Sequence, residues 1–175
     1  MIICETERLI IRHFKLSDSE FILDLLNQKS FIKYIKDKNV RTITDAEEYL
    51  KQGPMNSYIT HGFGLNLIQD KGANKPIGVC GILKRDHLDY PDLGYALSEK
   101  HSNKGYALEA SKAVIQNAVT DLHFNKILAI TNYNNTSSIR LLKKLNFKVI
   151  GSIKFYEDQP EEMLLEYSAS KAINK

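Results

Sequence analysis

The chain has 175 residues, 43% hydrophobic and 26% charged, which suits one globular domain and excludes disordered and collagen-like proteins. Its 24 basic and 21 acidic side chains leave a net charge of +3, and its two cysteines cannot form a disulfide framework. No segment approaches the roughly 18 consecutive apolar residues of a membrane helix, and the acids Glu5 and Glu7 stand where a signal peptide would be basic, so we expect a cytoplasmic protein without a membrane partner.

The first half of the chain predicts strands and two helices. Ser17 and Glu20 have the spacing of a capping box and predict the start of the first helix. A second helix is expected from Thr44 to about Gln52, where a Gly-Pro pair would end it. The apolar segments of this half predict strands at 8–14, 62–69, 76–83 and 92–97, the middle two forming a hairpin.

The second half switches to helical spacing. Apolar residues three or four apart predict a helix of about four turns that opens at Gly105 and reaches Leu122. A second helix is expected at 138–145, with Asn146 as its left-handed C-terminal residue. Strands are predicted at 126–131, 148–155 and 162–167. No repeat or linker marks a domain boundary.

A polar loop precedes the helix at Gly105 and predicts an anion site. The first turn of a helix leaves its backbone N–H groups unpaired, and the helix dipole favours negative charge there. A phosphate or pyrophosphate fits such a place. The loop has neither the Walker nor the Rossmann glycine pattern, and a plain helix start is the alternative.

A second polar cluster, at 134–138, follows the predicted buried strand at 126–131. It therefore lies at the C-terminal edge of that strand. In open sheets built from strand-helix-strand units, ligands bind preferentially at that edge. Capping of the next helix is the alternative explanation for these Asn, Thr and Ser side chains.

Together the two stretches resemble the Gcn5-related N-acetyltransferases (GNAT), in the branch named for ribosomal-protein N-terminal acetyltransferases. The resemblance rests on Gly-Tyr at 94–95, Lys-Gly-Tyr-Ala-x-Glu-Ala at 104–110, and Asn-x-x-Ser followed by Lys-Leu-x-Phe within 135–147. The opening at 5–12 also resembles that branch. We take 5–168 as the N-acetyltransferase domain and 169–175 as a C-terminal tail.

The resemblance implies an α+β fold whose central mixed, mostly antiparallel sheet is flanked by about four helices. A splayed pair of strands, 92–97 and 126–131, would hold acetyl-CoA. The pantetheine arm would pair with the backbone at Ala96 and Leu97, Asn135 would contact the arm, and Ser138 would lie near the thioester sulfur. The pyrophosphate would bind backbone N–H groups of the loop and helix start at Asn103, Lys104, Gly105, Tyr106 and Ala107.

Four positions depart from the family's pattern, one of them Asn146, which stands for the usual glycine before Phe147. Ser102 stands where the phosphate loop often has Gln or Arg, and Asn103 replaces a frequent glycine, although asparagine tolerates a positive φ. Leu142 stands where many relatives place a tyrosine acid. Because Leu142 cannot donate a hydrogen bond, Ser138 is the candidate donor to the departing thiolate.

The amine that accepts the acetyl group must be neutral, which requires a base or a low pKa. Asp92 and Glu99, at the two ends of the strand 92–97, are the candidate bases. At pH 7 an α-amine with a pKa of 7.7–8.0 is roughly 10–20% neutral, whereas a lysine near 10.4 is under about 0.1% neutral. An α-amine acceptor is therefore favoured over a lysine or polyamine.

Two other kinds of site are not expected. The five histidines lack the spacing of metal ligands. The densest basic run lacks interleaved aromatic residues for stacking bases, so a solvated helix face explains it better than nucleic-acid binding; this run is Arg140, Lys143, Lys144 and Lys148.

The sequence thus predicts an acetyl-CoA-dependent N-acetyltransferase that needs no metal. A primary amine, favoured as a protein or peptide N-terminus, would attack the thioester directly in a ternary complex. Two alternatives stay open: a non-catalytic acyl-CoA-binding module, and an acetyltransferase of a small amine such as an amino acid, polyamine or antibiotic. Monomer and homodimer are both compatible with the sequence.

Overall fold

The computed structural model describes residues 1–155 and 160–169 and is built on one eight-stranded sheet of order β1-β2-β3-β4-β5-β6-β8-β7. All neighbouring strands are antiparallel except β5 and β6. The strands are β1 (Ile2–Glu5), β2 (Leu9–Arg12), β3 (Leu65–Asp70), β4 (Lys75–Leu83), β5 (Asp92–Leu97), β6 (Lys126–Thr131), β7 (Lys148–Ile153) and β8 (Glu162–Ser168). The predicted α+β fold with a mixed, mostly antiparallel sheet is confirmed.

Helices cover both faces of the sheet. They are α1 (Ser19–Leu26), α2 (Lys29–Tyr34), α3 (Ile43–Leu50), α4 (Asn56–His61), α5 (Tyr106–Thr120) and α6 (Thr136–Lys144). One apolar cluster lies under α5 and α6 and includes Val114 and Leu142, while a second lies under α1 and α3 and includes Leu25 and Leu50. Within the described ranges there are thus six helices rather than about four, because α2 and α4 were not expected.

The parallel pair β5–β6 is joined at one place only. Asp92 is in register with Leu128, whose N–H donates to the carbonyl of Pro91 at 2.8 Å. By contrast, β5 is paired with β4 along the whole length of β5, from Asp92 to Leu97. The two parallel strands therefore diverge towards their C-terminal ends, and the predicted splay is present.

The predicted capping box at Ser17 and Glu20 is wrong, because α1 begins at Ser19 and Ser17 does not cap it. A 3-10 turn (Leu16–Asp18) precedes α1, and the Asp18 carboxylate accepts the N–H of Lys15, the residue before that turn, at 2.8 Å. The same carboxylate accepts two bonds from Arg12, at 2.8 and 2.9 Å, and is 6% exposed. A buried ion pair, rather than a serine cap, sets where the helix begins.

The predicted end of the second helix at about Gln52 is also wrong. Helix α3 is capped by Thr42 and continues through a π-helical turn (Lys51–Met55) into α4, which ends at Gly62 with φ +78°. The longer i→i+5 spacing of a π turn accommodates the proline ring and its missing N–H. Pro54 is buried there and packs instead of breaking the helix.

The C-terminal boundary is described only in part. Ala169 follows β8 and donates its N–H to Asn125 at 2.9 Å. The rest of the predicted tail, 170–175, and residues 156–159 lie outside the described residues. The domain limits at 5 and 168 stay a prediction.

The buried ion pair at the start of α1 generates a stability prediction. Asp18→Asn should lower the free energy of unfolding by about 2–3 kcal/mol, because Arg12 loses the carboxylate that pairs with it in a mostly buried place. Urea unfolding followed by circular dichroism measures this. The exposed Asp89→Asn should stay within about 0.5 kcal/mol of wild type, and equal stability of the two variants would contradict the proposed importance of Asp18.

Candidate active site

The gap between β5 and β6 brings the predicted site residues together from three elements. Ala96 and Leu97 lie on β5, where their other backbone edge pairs with Val79 and Gly78 of β4. A Cβ at Gly78 would come within 2.5 Å of the Ala96 carbonyl oxygen. The glycine therefore allows β4 to pair closely beside β5 at this point. Beyond Asp92, the edge of β5 that faces β6 has no strand paired with it in the described part of the chain.

The loop at the open end of the gap has the geometry of an anion site. Asn103 has φ +61° and Gly105, the N-cap of α5, has φ +83°. The first i→i−4 bond of the helix joins Glu109 N–H to the Gly105 carbonyl at 3.1 Å, so the N–H groups of Tyr106 and Ala107 precede the helical ladder. Left-handed residues before a helix turn such groups towards one point and form an anion-binding concavity. Asn103 thus adopts the conformation that a glycine would supply.

Arg8, which the sequence reasoning did not single out, braces this loop. Its Nη1 donates to the Lys104 carbonyl at 3.1 Å, and its Nε donates to Glu109 at 2.7 Å. Its guanidinium carbon also lies 4.5 Å from the centre of the Tyr106 ring. Residues about a hundred positions apart are therefore joined, a contact that no local pattern in the sequence could have indicated.

Glu109 is the anionic partner in this brace. Burial alone would raise its pKa, but hydrogen bonds from Thr6 and Arg8 lower the pKa below its usual value. The carboxylate therefore stays ionised and keeps Arg8 directed at the loop. The loop in turn is tied to β3, because Tyr106 donates its hydroxyl hydrogen to Asp70 at 3.0 Å.

Asn135 and Ser138 lie at the start of α6, on the β6 side of the gap. The Asn135 side-chain oxygen accepts the N–H of Ser138 at 3.1 Å, so it caps the helix as the capping alternative supposed. The Ser138 hydroxyl lies 2.8 Å from the hydroxyl of Tyr95 on β5. The predicted sulfur-side serine is thus within the gap and hydrogen-bonded across it.

The two predicted bases have different surroundings. Asp92 is 1% exposed and accepts two bonds from Arg85 Nε, at 2.9 and 3.1 Å. Burial raises the pKa of Asp92, and Arg85 partly opposes that shift. Glu99 accepts the N–H of Ser30 at 2.9 Å, and this bond lowers the pKa of Glu99. Asp92 lies at the closed end of the gap, whereas Glu99 caps α2.

A third carboxylate, Glu162, was missed. It begins β8, is half-buried, and burial raises its pKa. Because Leu93 and Met163 pack in the cluster under α5, strand alternation places Asp92 and Glu162 on the opposite face of the sheet. Only the pairing of β6 with β8 places Glu162 beside the C-terminal end of β6, so the linear sequence carried no signal for it.

The whole arrangement matches a known family. Residues 8–148 match the family described as Acetyltransferase (GNAT) domain. The chain belongs to the GNAT acetyltransferase family. The resemblance on which the sequence analysis relied is confirmed, and so is the expectation of an N-acetyltransferase enzyme.

Relatives and solved structures agree with this GNAT membership. The chain is 28% identical over 167 residues to a Bacillus licheniformis protein, the uncharacterized N-acetyltransferase p20, covering 94% of this chain and 93% of that protein. It is similar in fold to RimL, a ribosomal alpha-N-protein acetyltransferase in complex with coenzyme A, with a TM-score of 0.82, 15% identity and coverage of 96% and 98%. It is also similar to MccE, a microcin self-immunity acetyltransferase in complex with acetyl-CoA and AMP, with a TM-score of 0.81, 19% identity and coverage of 94% of each chain.

The described residues also bear on two other kinds of site, membrane spans and metal sites. None of the helices in residues 1–155 and 160–169 is long and apolar enough to cross a membrane. Over the same ranges, no three His, Cys, Asp or Glu side chains are grouped so that they could hold a metal ion. The prediction that the reaction needs no metal stays a prediction.

The Arg8 brace generates a binding prediction. Arg8→Ala should raise the Kd for coenzyme A about tenfold, because the loop loses its support and Glu109 loses its cationic partner beside the predicted phosphate site. Isothermal titration measures the change. Lys112→Ala, which removes a positive charge from an exposed position on α5, should leave Kd unchanged, and equal effects of the two variants would mean that only net charge matters.

The left-handed glycine generates a second binding prediction. Gly105→Val should raise the Kd for coenzyme A about 100-fold, because a β-branched residue is strained at φ +83°. Gly151→Val is the matched control, since Gly151 lies on β7 with open space around its Cβ position. Retained affinity in Gly105→Val would show that the loop is not the phosphate site.

Proposed function

We propose that this GNAT enzyme transfers the acetyl group of acetyl-CoA to a primary α-amine at the N-terminus of a protein or peptide, within a ternary complex. The observation that carries the proposal is the splay itself. β5 and β6 part after Asp92 and Leu128, and their open ends lead to an exposed loop with left-handed Asn103 and Gly105. The free backbone edge at Ala96 and Leu97 and the loop that we take as the anion site therefore lie at the same, open end of the gap.

The residues present fit acetyl-CoA, which would supply the activated acetyl group as a thioester. The N–H groups of the loop and helix start, from Asn103 to Ala107, would bind its pyrophosphate. The free backbone edge at Ala96 and Leu97 would pair with the amide groups of its pantetheine arm. Asn135, at the opposite wall, would contact the same arm.

The two faces of the gap separate the two proton transfers that the reaction needs. Ser138 lies on the face that α5 and α6 cover, and Asp92 lies on the opposite face. An amine that enters from the α1 and α3 side would lose its proton towards Asp92. The departing sulfur would receive a proton on the other face, at Ser138. A new C–N bond forms as the C–S bond breaks, so no covalent enzyme intermediate is required.

Asp92 suits the role of base better than Glu99. A general base works best when its pKa lies near the operating pH. Burial moves the pKa of Asp92 upwards, whereas the bond from Ser30 moves the pKa of Glu99 downwards. Arg85 opposes the rise in the pKa of Asp92. This base therefore suits an amine that is already partly neutral on its own. An α-amine meets that condition better than a lysine.

The identity of the acceptor is the part of the proposal that needs most testing. A cytoplasmic location and a monomeric or homodimeric state stay predictions. The small-amine alternative uses the same gap and chemistry, so only the acceptor separates it from the proposal.

A panel of amines tests the proposed acceptor. A set of peptides with a free N-terminus, each with a matched N-terminally blocked peptide carrying one lysine, is mixed with enzyme and acetyl-CoA at pH 7.5. Release of free coenzyme A is followed with a thiol reagent, and mass spectrometry locates the acetyl group. We expect turnover only with a free α-amine, and a loss of about 100-fold in Ser138→Ala.

Each other outcome has a defined meaning. Turnover with amino acids or polyamines but with no peptide would favour the small-amine alternative. Binding of acetyl-CoA without turnover on any amine would favour a non-catalytic module. Equal rates on blocked lysine peptides would contradict the argument from amine pKa.

A further inference from the structure

A hydrogen bond between two hydroxyl groups crosses the gap. Tyr95 Oη on β5 lies 2.8 Å from Ser138 Oγ on α6, in a partly buried setting. The Tyr95 ring is held by packing against the cluster under α5 and α6. Ser138 is held from its own side, because its N–H donates to Asn135. The Tyr95 ring and the Ser138 backbone are therefore each held by contacts other than the bond between the two hydroxyls.

The acidity of the two hydroxyls indicates the direction of the bond. A phenol is more acidic than an aliphatic hydroxyl, so Tyr95 is the better donor and Ser138 the better acceptor. Burial raises the pKa of Tyr95 to about 12, which keeps the phenol protonated wherever an α-amine is becoming neutral. A serine hydroxyl has one hydrogen and two lone pairs. Ser138, when it accepts from Tyr95, keeps its own hydrogen for a third group.

The opposite wall offers no second donor at the next turn of α6. Leu142 lies one turn after Ser138, is 1% exposed and packs in the core. A side chain without polar atoms cannot support a departing thiolate. A phenol is nevertheless present beside Ser138, because Tyr95 of β5 lies within hydrogen-bond distance of it.

We infer that Tyr95 is a positioning residue for acetyl transfer: it donates to Ser138 Oγ and thereby directs the Ser138 hydrogen towards the sulfur of coenzyme A. The inference rests on the proposed function, since it requires the sulfur to lie beside Ser138. Hydrogen bonds in such a chain polarise one another, so the phenol strengthens the bond that Ser138 makes to sulfur.

The proton balance closes over the two hydroxyls. When the C–S bond breaks, its electron pair stays on sulfur, which takes the Ser138 proton. Ser138 takes the proton of Tyr95, and Tyr95 regains one from solvent, to which Asp92 passes the proton that it has taken from the amine. The amine has lost one proton, the thiol has gained one, and both hydroxyls end as they began.

A first experiment needs no acceptor amine. The ionisation of the thiol of bound coenzyme A is followed against pH by thiolate ultraviolet absorbance, as a difference from the complex with desulfo-coenzyme A. A hydrogen bond to sulfur favours the thiolate. We expect the ionisation constant to fall about tenfold in Ser138→Ala and about threefold in Tyr95→Phe, with Kd for coenzyme A changed less than about twofold. Tyr90→Phe, at an exposed tyrosine, is the control and should match wild type.

A second experiment uses turnover with an accepted amine. Tyr95→Phe should lower kcat about tenfold and Ser138→Ala about 100-fold, each with an unchanged KM for acetyl-CoA. The double variant should be no slower than Ser138→Ala, because Tyr95 acts through Ser138.

The outcomes separate this inference from the proposed function. Losses that multiply in the double variant, or a thiol ionisation in Tyr95→Phe equal to that of wild type, would overturn the role of Tyr95 while leaving the acetyltransferase intact. A wild-type protein that binds no coenzyme A would contradict the proposed function, and the inference would fall with it.

Discussion

The early end of pairing between β5 and β6 is the constraint on which the candidate site depends. β4 holds β5 along its full length, and β8 holds β6 from Lys126 to Thr131. Each parallel strand is therefore fixed from its outer side, and the gap between them persists without a strand to fill it. Backbone groups at such an edge need hydrogen-bond partners, which explains why an extended, amide-containing ligand suits it.

The candidate site is held by contacts between distant parts of the chain. Arg8 and Glu109 join the N-terminal segment to the first turn of α5, so the loop before α5 keeps its shape only when the first strands are in place. The bond between Tyr95 and Ser138 joins β5 to α6 in the same way. The shape of the candidate site therefore depends on the assembly of the sheet through a few polar contacts.

Local patterns predicted the elements best where one physical signal dominated. The strands at 92–97 and 126–131 were predicted with the bounds that the structure shows, because short apolar runs are bounded by polar turns there. Asn146 does end α6 with φ +64°. The predictions at Ser17 and Gln52 failed because buried contacts of Asp18 and Pro54 outweighed the local helix signals.

The sequence by itself determined the family and the order of its motifs, because loop-helix and strand-helix junctions carry local signatures in residue type and spacing. It also indicated that Asn103 could replace a glycine, since its side chain tolerates a positive φ. Only the tertiary structure decided that Arg8 braces the loop, that Glu162 joins Asp92 on one face, and that Tyr95 meets Ser138. Those contacts join residues 43 to 101 positions apart, or strands that are neighbours only in the sheet, and such pairings have no periodicity that a linear sequence can show.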